Sequence, residues 1–429
     1  MSSLTPALAQ RLAAEHASAA RALAGPAGGA AHTALAALLA AGLPTTRDEN
    51  WKYANLRALE KLRYLPAGAT GEPAVVTAAL LPPAVPEFAR YVFVDGVLAP
   101  GLSAPLPAAA AALALHEGLA GTATAGSVDE RFALLNAAFA PQALTIGVAA
   151  AAKARLELLF IAAADAAHGA SYPRVQVQVE PGGQLALIER HLSAADLPSF
   201  VNGAVAIAVG AGGSCTHYRL QHLNGRSIYF DTLAARLGAR ARYRLHGTAT
   251  GGQSARSTVM VRLEGERADL TLAVAALGER QQVQDAYAVI EHAAPNARTE
   301  QTFRGIAAGR ARVAFNGKIV VAPGANGTDS RQSLRGLLAG PEAEIDVRPQ
   351  LEIYTDDVRC SHGATAGKLD DSMLFYLLSR GLTRETAQRL LKWAFLGDVV
   401  AKVELPELRH QIEERLVGQL QDDGLRELL

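Results

Sequence analysis

Two stretches of this chain set a thiol two residues from an imidazole. Cys360-Ser361-His362 lies within the run Tyr354-Thr355-Asp356-Asp357-Val358-Arg359-Cys360-Ser361-His362-Gly363-Ala364-Thr365, and Cys215-Thr216-His217 has the same spacing. Side chains alternate along a strand, so Val358, Cys360 and His362 share one face, and Asp357, Arg359 and Ser361 share the other. A thiolate and an imidazole on one face can bind a soft or borderline metal. Two ligands do not complete a tetrahedral site, so the rest must come from elsewhere, including another chain. Packing is the competing reading: Asp356-Asp357 would then be a turn and Gly363 a strand stop. Cys215 reads more simply as a buried hydrophobe in a half-buried strand. Glu189-Arg190-His191 and Asp285 read as strand-edge or solvated charges.

Other chemistries find little support. Gly309 to Lys318 ends in Gly-Lys, but the spacing is too long for a phosphate-binding loop, and Ile319 stands where a magnesium-holding hydroxyl is needed. Gly210-Ala-Gly-Gly-Ser-Cys lacks the third glycine of a dinucleotide fingerprint. Neither a G-x-S-x-G elbow nor an H-E-x-x-H zinc motif occurs, so no catalytic residue is expected. Lysine plus arginine equals aspartate plus glutamate at 41 each, which offers no electrostatic reason for a nucleic-acid partner. Two distant cysteines make no disulfide framework and suit a reducing cytoplasm. The N-terminus does not read as a signal peptide, and apolar runs such as Ala104 to Leu115 fall short of a membrane span of roughly 20 residues. A soluble protein is expected.

The elements that must position these groups fall into three regions. Residues 1–140 read as an N-terminal helical region, with a short strand at Arg90–Val94 and a helix from Val128 to Phe139 that Pro141 stops. Residues 141–368 read as a β core. Its alternating runs are Leu156–Ile161, Val175–Val179, Leu185–His191, Val205–Val209, His217–Leu223, Ile228–Leu233, Ser257–Leu263, Asp269–Ala275, Val283–Ile290, Arg312–Val321, Glu344–Val347 and Leu351–Arg359. Glycine, asparagine or aspartate punctuates most gaps, and no helical period intervenes, which argues against a βαβ sheet. A large sandwich and a β-helix both remain open on this evidence. Residues 369–429 turn helical again. Asp371 or Ser372 can cap Met373–Arg380, with Gly381 just past its end, and Thr383 can cap the next helix. Pro406 suits the first turn of a last helix carrying Leu408, Ile412, Leu416 and Leu420.

Several segments together resemble the SufB/SufD family of the SUF iron–sulfur assembly machinery. They are GRARVAFNGKIVV, the TDSRQSLRGLL block, AEIDVRPQLEIYTDDVRCSHGATAGKLD and LFYLLSRGLTRETAQRLLKWAFLGDVV, with RDENWKYANL, YVFVDGVL and IERHLS farther back. The Cys-Ser-His-Gly-Ala-Thr run is the SufD-type version. Two cysteines in all cannot ligate a four-thiolate cluster alone, which also favours the accessory subunit over the main scaffold.

The resemblance implies a mainly β fold: a right-handed parallel β-helix flanked by N- and C-terminal helical regions. It implies an accessory scaffold subunit, not an enzyme, that pairs with SufB through β-helix ends and docks the ATPase SufC through its C-terminal helices. It also implies a nascent Fe–S cluster at the SufB–SufD seam, with His362 as a metal ligand and Cys360 beside it. ATP-driven SufC dimerisation would then shift the seam and expose both residues. FAD and iron belong to the complex in this picture, not to a motif in this chain. Neutral histidine and deprotonated cysteine are the binding forms, so loading should weaken as pH falls. In isolation an open solenoid end would favour a homodimer. Two other readings remain: a purely structural partner of SufB and SufC, or a β-helix carbohydrate-active enzyme.

Overall fold

Alternating side chains give each short strand an apolar and a polar face, and tight turns decide which faces meet. A computed structural model describes residues 6–22, 29–45, 47–54, 56, 59–69, 76–105, 111–117 and 130–420. The strands are β1 (Ala89–Val94), β2 (Val97–Leu98), β3 (Ala111–Glu117), β4 (Gln142–Val148), β5 (Lys153–Ala162), β6 (Arg174–Val179), β7 (Gln184–Ser193), β8 (Phe200–Val209), β9 (Ser214–His222), β10 (Ile228–Leu237), β11 (Arg242–Thr250), β12 (Ser254–Leu263), β13 (Asp269–Gly278), β14 (Val283–His292), β15 (Arg298–Ala308), β16 (Arg312–Val321), β17 (Thr328–Ala339), β18 (Glu344–Ile353) and β19 (Val358–Gly367). The helices are α1 (Pro6–Ala22), α2 (Gly29–Ala41), α3 (Arg131–Phe139), α4 (Asp371–Ser379), α5 (Arg384–Val400) and α6 (Pro406–Gln419).

From β5 onward the odd strands stack in one sheet and the even strands in the other, and from β6 onward each pairs in parallel with the strand two before it. That is a parallel β-solenoid, and it decides between the two architectures the alternation had left open. The coil length varies: Asp269 stands beside Arg242, 27 residues earlier, whereas Asp329 stands beside Arg298, 31 residues earlier. No strict sequence repeat is therefore needed. In-register stacking puts like faces over like faces, and the inward ones (Leu185, Leu187, Val205, Ile207, Leu270, Leu272 among them) fill the space between the sheets. The strand expected at Arg90–Val94 is β1, which pairs with β5 and so belongs to the first sheet.

Four differences from the sequence reading have physical causes. β11 and β15 were not anticipated; the corners before them are turned by Arg240 and Asn296 at φ +56° and +59°, as Arg267 and Arg280 turn those before β13 and β14. β15 and β17 also carry polar residues on their inward faces (Thr299 and Gln301, then Ser330 and Gln332), so no apolar alternation marks them. The expected run Leu351–Arg359 is two strands: it turns after Ile353 and resumes at Val358. Gly363 does not stop the last strand, which stays paired with β17 through Leu337–Gly367.

The helix from Val128 begins at Arg131, with 128 and 129 outside the described residues. Its apolar face joins Trp51 and the α2 leucines against the strand starts of β8 and β10. Trp51 is held from the other side: Arg256 lies 4.5 Å over its ring, with Tyr287 and Asp285 on the remaining faces of the guanidinium. At the other end, α4 is capped by Asp370, which accepts from the Ser372 and Met373 amides at 2.8 and 3.1 Å, not by Asp371 or Ser372. Gly381 at φ +91° and the Thr383 cap stand where expected. Leu396, Val399 and Val400 of α5, with Leu408, Ile412 and Leu416 of α6, pack on the outer face of the first sheet against Ile188, Tyr218, Leu220 and Leu277. Polar ties fasten the same layer: Glu157 holds Arg90 and Arg190 at 2.7 and 2.8 Å, and Arg190 reaches Gln411 of α6.

Two histidines make this packing sensitive to acid. His246 stacks on Tyr218 beneath the C-terminal helices with neither ring nitrogen hydrogen-bonded, and burial lowers its pKa to about 4. His292, inside the solenoid, is lowered to about 4 by burial as well. Each stays neutral in the folded chain but is protonated once unfolded below about pH 6.5, so its contribution is complete above that pH and is lost between 6.5 and about 4. A shift of that size corresponds to up to about 3 kcal/mol per histidine. Melting temperature is therefore expected to fall across this window, and His246→Leu to flatten the fall without lowering stability at pH 7.5. An unchanged slope in that variant would show that the loss arises elsewhere.

Candidate metal site at the open end of the solenoid

The two C-x-H pairs, alike in sequence, sit in opposite settings. Cys215 and His217 are on β9 in the middle of the solenoid, both facing inward. Cys215 is 1% exposed, and burial pushes its thiol up to about 12. His217 is held by Glu189 at 3.0 Å and by the Tyr243 hydroxyl at 3.0 Å, and burial lowers its pKa. Glu189, expected to be a strand-edge or solvated charge, is enclosed. It accepts from Arg219 Nε and Nη2 at 3.0 and 2.9 Å and contacts His191 at 2.6 Å. Burial alone would push this carboxyl up, but Arg219 and the two imidazoles hold it well below the ordinary range. Asp285 is likewise buried and paired, with Arg256. The groups near Cys215 satisfy one another, and the cluster reads as an internal polar brace.

Cys360 and His362 lie on β19, the last strand of the first sheet, which has a neighbour on one side only. Cys360 stands beside Ser330 and His362 beside Gln332. Adjacent strands are about 4.8 Å apart, and Cα atoms two residues apart along a strand about 6.6 Å. The pair therefore projects from neighbouring positions on one face, over the end of the lumen. Val358 and Cys360 are half-buried at the fringe of the core with Ile345, Val347 and Leu351 of β18, while His362 is exposed. Burial pushes the Cys360 thiol up, Asp329 adds to this, and the Ser330 backbone amide opposes it. Among the described residues no group of three or more histidine, cysteine, aspartate or glutamate side chains could hold a metal ion. This end of the molecule thus offers two donor types of use to iron and an incomplete ligand set.

Sequence reasoning passed over two further features here. Ser330 and Gln332 lie behind the pair, inside the TDSRQSLRGLL block, with no marker apart from their inward parity with Cys360 and His362. Helix α4 presents Met373, Phe375 and Tyr376 at 58, 72 and 57% exposure. No helix of the described residues is long and apolar enough to cross a membrane.

The unequal settings of the two thiols give a direct check. In the folded chain at pH 8, iodoacetamide is expected to alkylate Cys360, faster as pH rises, and to leave Cys215 unmodified until denaturant is added. Peptide mass spectrometry reads both sites. Modification of Cys215 at the rate of Cys360 would contradict the buried placement of β9.

Comparison with known proteins agrees with this architecture. The family profile described as "SUF system FeS cluster assembly, SufBD core domain" matches residues 160–395, more than half of the chain. The iron–sulfur cluster assembly protein SufD of Escherichia coli is 31% identical over 394 residues, covering 91% of this chain and 92% of that protein. A SufBD family iron–sulfur cluster assembly protein of Synechocystis is 30% identical over 395 residues, covering 87% and 86%. The chloroplastic protein ABCI7 of Arabidopsis thaliana is 30% identical over 252 residues, covering 58% and 53%. The solenoid with helical ends and the extent of these matches place the chain, as a SufD-like member, in the SufBD family of SUF-system iron–sulfur cluster assembly proteins.

Proposed function

We propose that this chain is the accessory scaffold subunit of a SUF assembly complex. It pairs with a SufB-type partner through the open end of its solenoid, docks a SufC-type ATPase through its C-terminal helices, and lends His362 and Cys360 to a nascent cluster at the seam. The observation that carries this reading is the placement of both side chains on an edge strand with an incomplete ligand set. An unpaired edge with half-buried Ile345, Val347 and Leu351 at its mouth is a surface that another strand can cover. A partner closing that edge would bring its own side chains to the cluster, which is this protein's cargo. His362, exposed, is the better placed ligand, and Cys360 must come out of a partly apolar setting to join it.

The ATPase docking rests on α4 and α5. Met373, Phe375 and Tyr376 form an exposed apolar group beside the site's own sheet, while α5 and the turn after it are pinned to that sheet by Arg304–Asp398 at 2.6 Å and Lys402–Glu300 at 3.0 Å. Force applied to the helices would therefore pass to β15, two strands from β19. ATP binding by the docked subunit would bias a two-state seam between closed and cluster-accepting forms.

A structural role without ligation is favoured at one point only, the half-burial of Cys360 at the core fringe. The ligand role is tested by His362→Ala in the co-purified complex: cluster yield on anaerobic reconstitution is expected to drop roughly tenfold with subunit stoichiometry unchanged. Normal yield from an intact complex would remove His362 from the site. Docking is tested separately by Phe375→Glu, which should weaken ATPase binding by about 2 kcal/mol, roughly thirtyfold in Kd; binding at parental affinity would place the contact elsewhere.

A further inference from the structure

Apart from the Glu189–His217–Arg219 cluster midway and His292, the lumen is lined largely by leucine, isoleucine, valine and small apolar residues. Directly behind the site this changes. Thr299, Ser330 and Cys360 stand side by side across β15, β17 and β19, and so do Gln301, Gln332 and His362. These are two polar ladders, three rungs each, ending at the two proposed ligands. The rungs behind the ligands are enclosed: Thr299, Gln301, Ser330 and Gln332 are between 0 and 4% exposed.

Hydrogen bonding inside the ladders is directional. Gln332 Nε2 donates to Gln301 Oε1 and to the Gly317 carbonyl, both at 3.1 Å. A carbonyl can only accept, so the amide's orientation is fixed and its Oε1 is an acceptor without a partner. A Cβ at Gly317 would come within 2.9 Å of that same Nε2, so the bare glycine is what lets the amide settle there. Thr299 is already engaged by His292 at 2.9 Å, while Ser330 Oγ, between Thr299 and Cys360, has no partner. Buried polar atoms left unpaired are costly, and two such atoms adjoin the two ligand positions.

We propose that Ser330 and Gln332 are positioning residues for the metal site, a deepening that rests on the ligand role proposed above for His362. When iron is bound, Gln332 Oε1 accepts from the imidazole nitrogen that faces away from the metal, which fixes the ring and leaves the other nitrogen for coordination. Ser330 Oγ donates to the Cys360 sulfur and turns it toward the same ion. Both contacts form on loading, since neither exists in the unloaded chain. A metal-bound histidine ordinarily requires such an acceptor, and here the chain supplies it one strand behind.

The test uses the full chain co-purified with its two SUF partners and Co(II) as an anaerobic optical probe. Gln332→Met, close in volume but with no hydrogen-bonding amide, is expected to weaken Co(II) binding roughly tenfold and to shift the ligand-field bands. Ser330→Ala should reduce the thiolate-to-cobalt charge-transfer band, and Ser330→Thr, which keeps the hydroxyl, should restore it. Purely structural residues would lower the melting temperature and leave these spectra unchanged in the folded fraction. Parental spectra and affinity in Gln332→Met and Ser330→Ala, beside lost binding in His362→Ala, would overturn this inference and spare the ligand reading. Parental binding in His362→Ala would sink the ligand reading itself. Should Gln332→Met fail to fold, the Ser330 pair of variants decides: no difference between alanine and threonine would overturn the proposal.

Discussion

A parallel solenoid cannot close on itself. Each coil satisfies the backbone of the one before, and the last coil has nothing to satisfy its own. In this chain that burden falls on β18 and β19, the terminal strands of the two sheets. Natural edges are commonly blunted by charge, proline or a covering segment. Here Pro349 lies in β18, but half-buried apolar residues line the mouth, and the candidate ligands lie on the other edge. The same constraint that leaves the fold unfinished thus puts the Cys360–His362 pair on an edge strand with one side unpaired.

The interior explains why one C-x-H pair reads as structure and the other as chemistry. Around Cys215 the charges are paired with one another: Glu189 is surrounded by Arg219, His191 and His217, and Arg219 also meets Asp231. Such a network braces the middle of the solenoid from within. Cys360 instead lies on an edge strand, half-buried, with the exposed His362 beside it. The outer layers serve the same geometry, since α5 and α6 tie the first sheet to the helix carrying Phe375, and Trp51 with Arg256 braces the second.

Much of this was legible in the sequence. Gly381, Thr383 and Pro406 announced the C-terminal helices because capping is local chemistry. Alternation announced most strands, since each has one apolar face. What it could not announce was the partner of each strand: a coil that varies from 26 to 32 residues leaves no period to find. β15 and β17 were passed over because their inward faces turn polar, and that polarity belongs to the region behind the site. Glu189 and Asp285 were misread as solvated because a charged residue in a strand does not disclose an arginine on the next coil. The short Cys-Ser-His run lies at the open end of the solenoid, and only the in-register pairing showed Ser330 and Gln332 standing behind it.

The central claim is that the open end of the solenoid is where this protein meets its scaffold partner. Amide hydrogen exchange, compared between the isolated chain as a monomer and its complex with a SufB-type subunit, tests this most directly. The account predicts that amides of Glu344–Ile353 and Val358–Gly367 exchange fast alone and gain strong protection in the complex. Unchanged exchange in both strands, with protection appearing on the outer face of β8 to β14 instead, would contradict it.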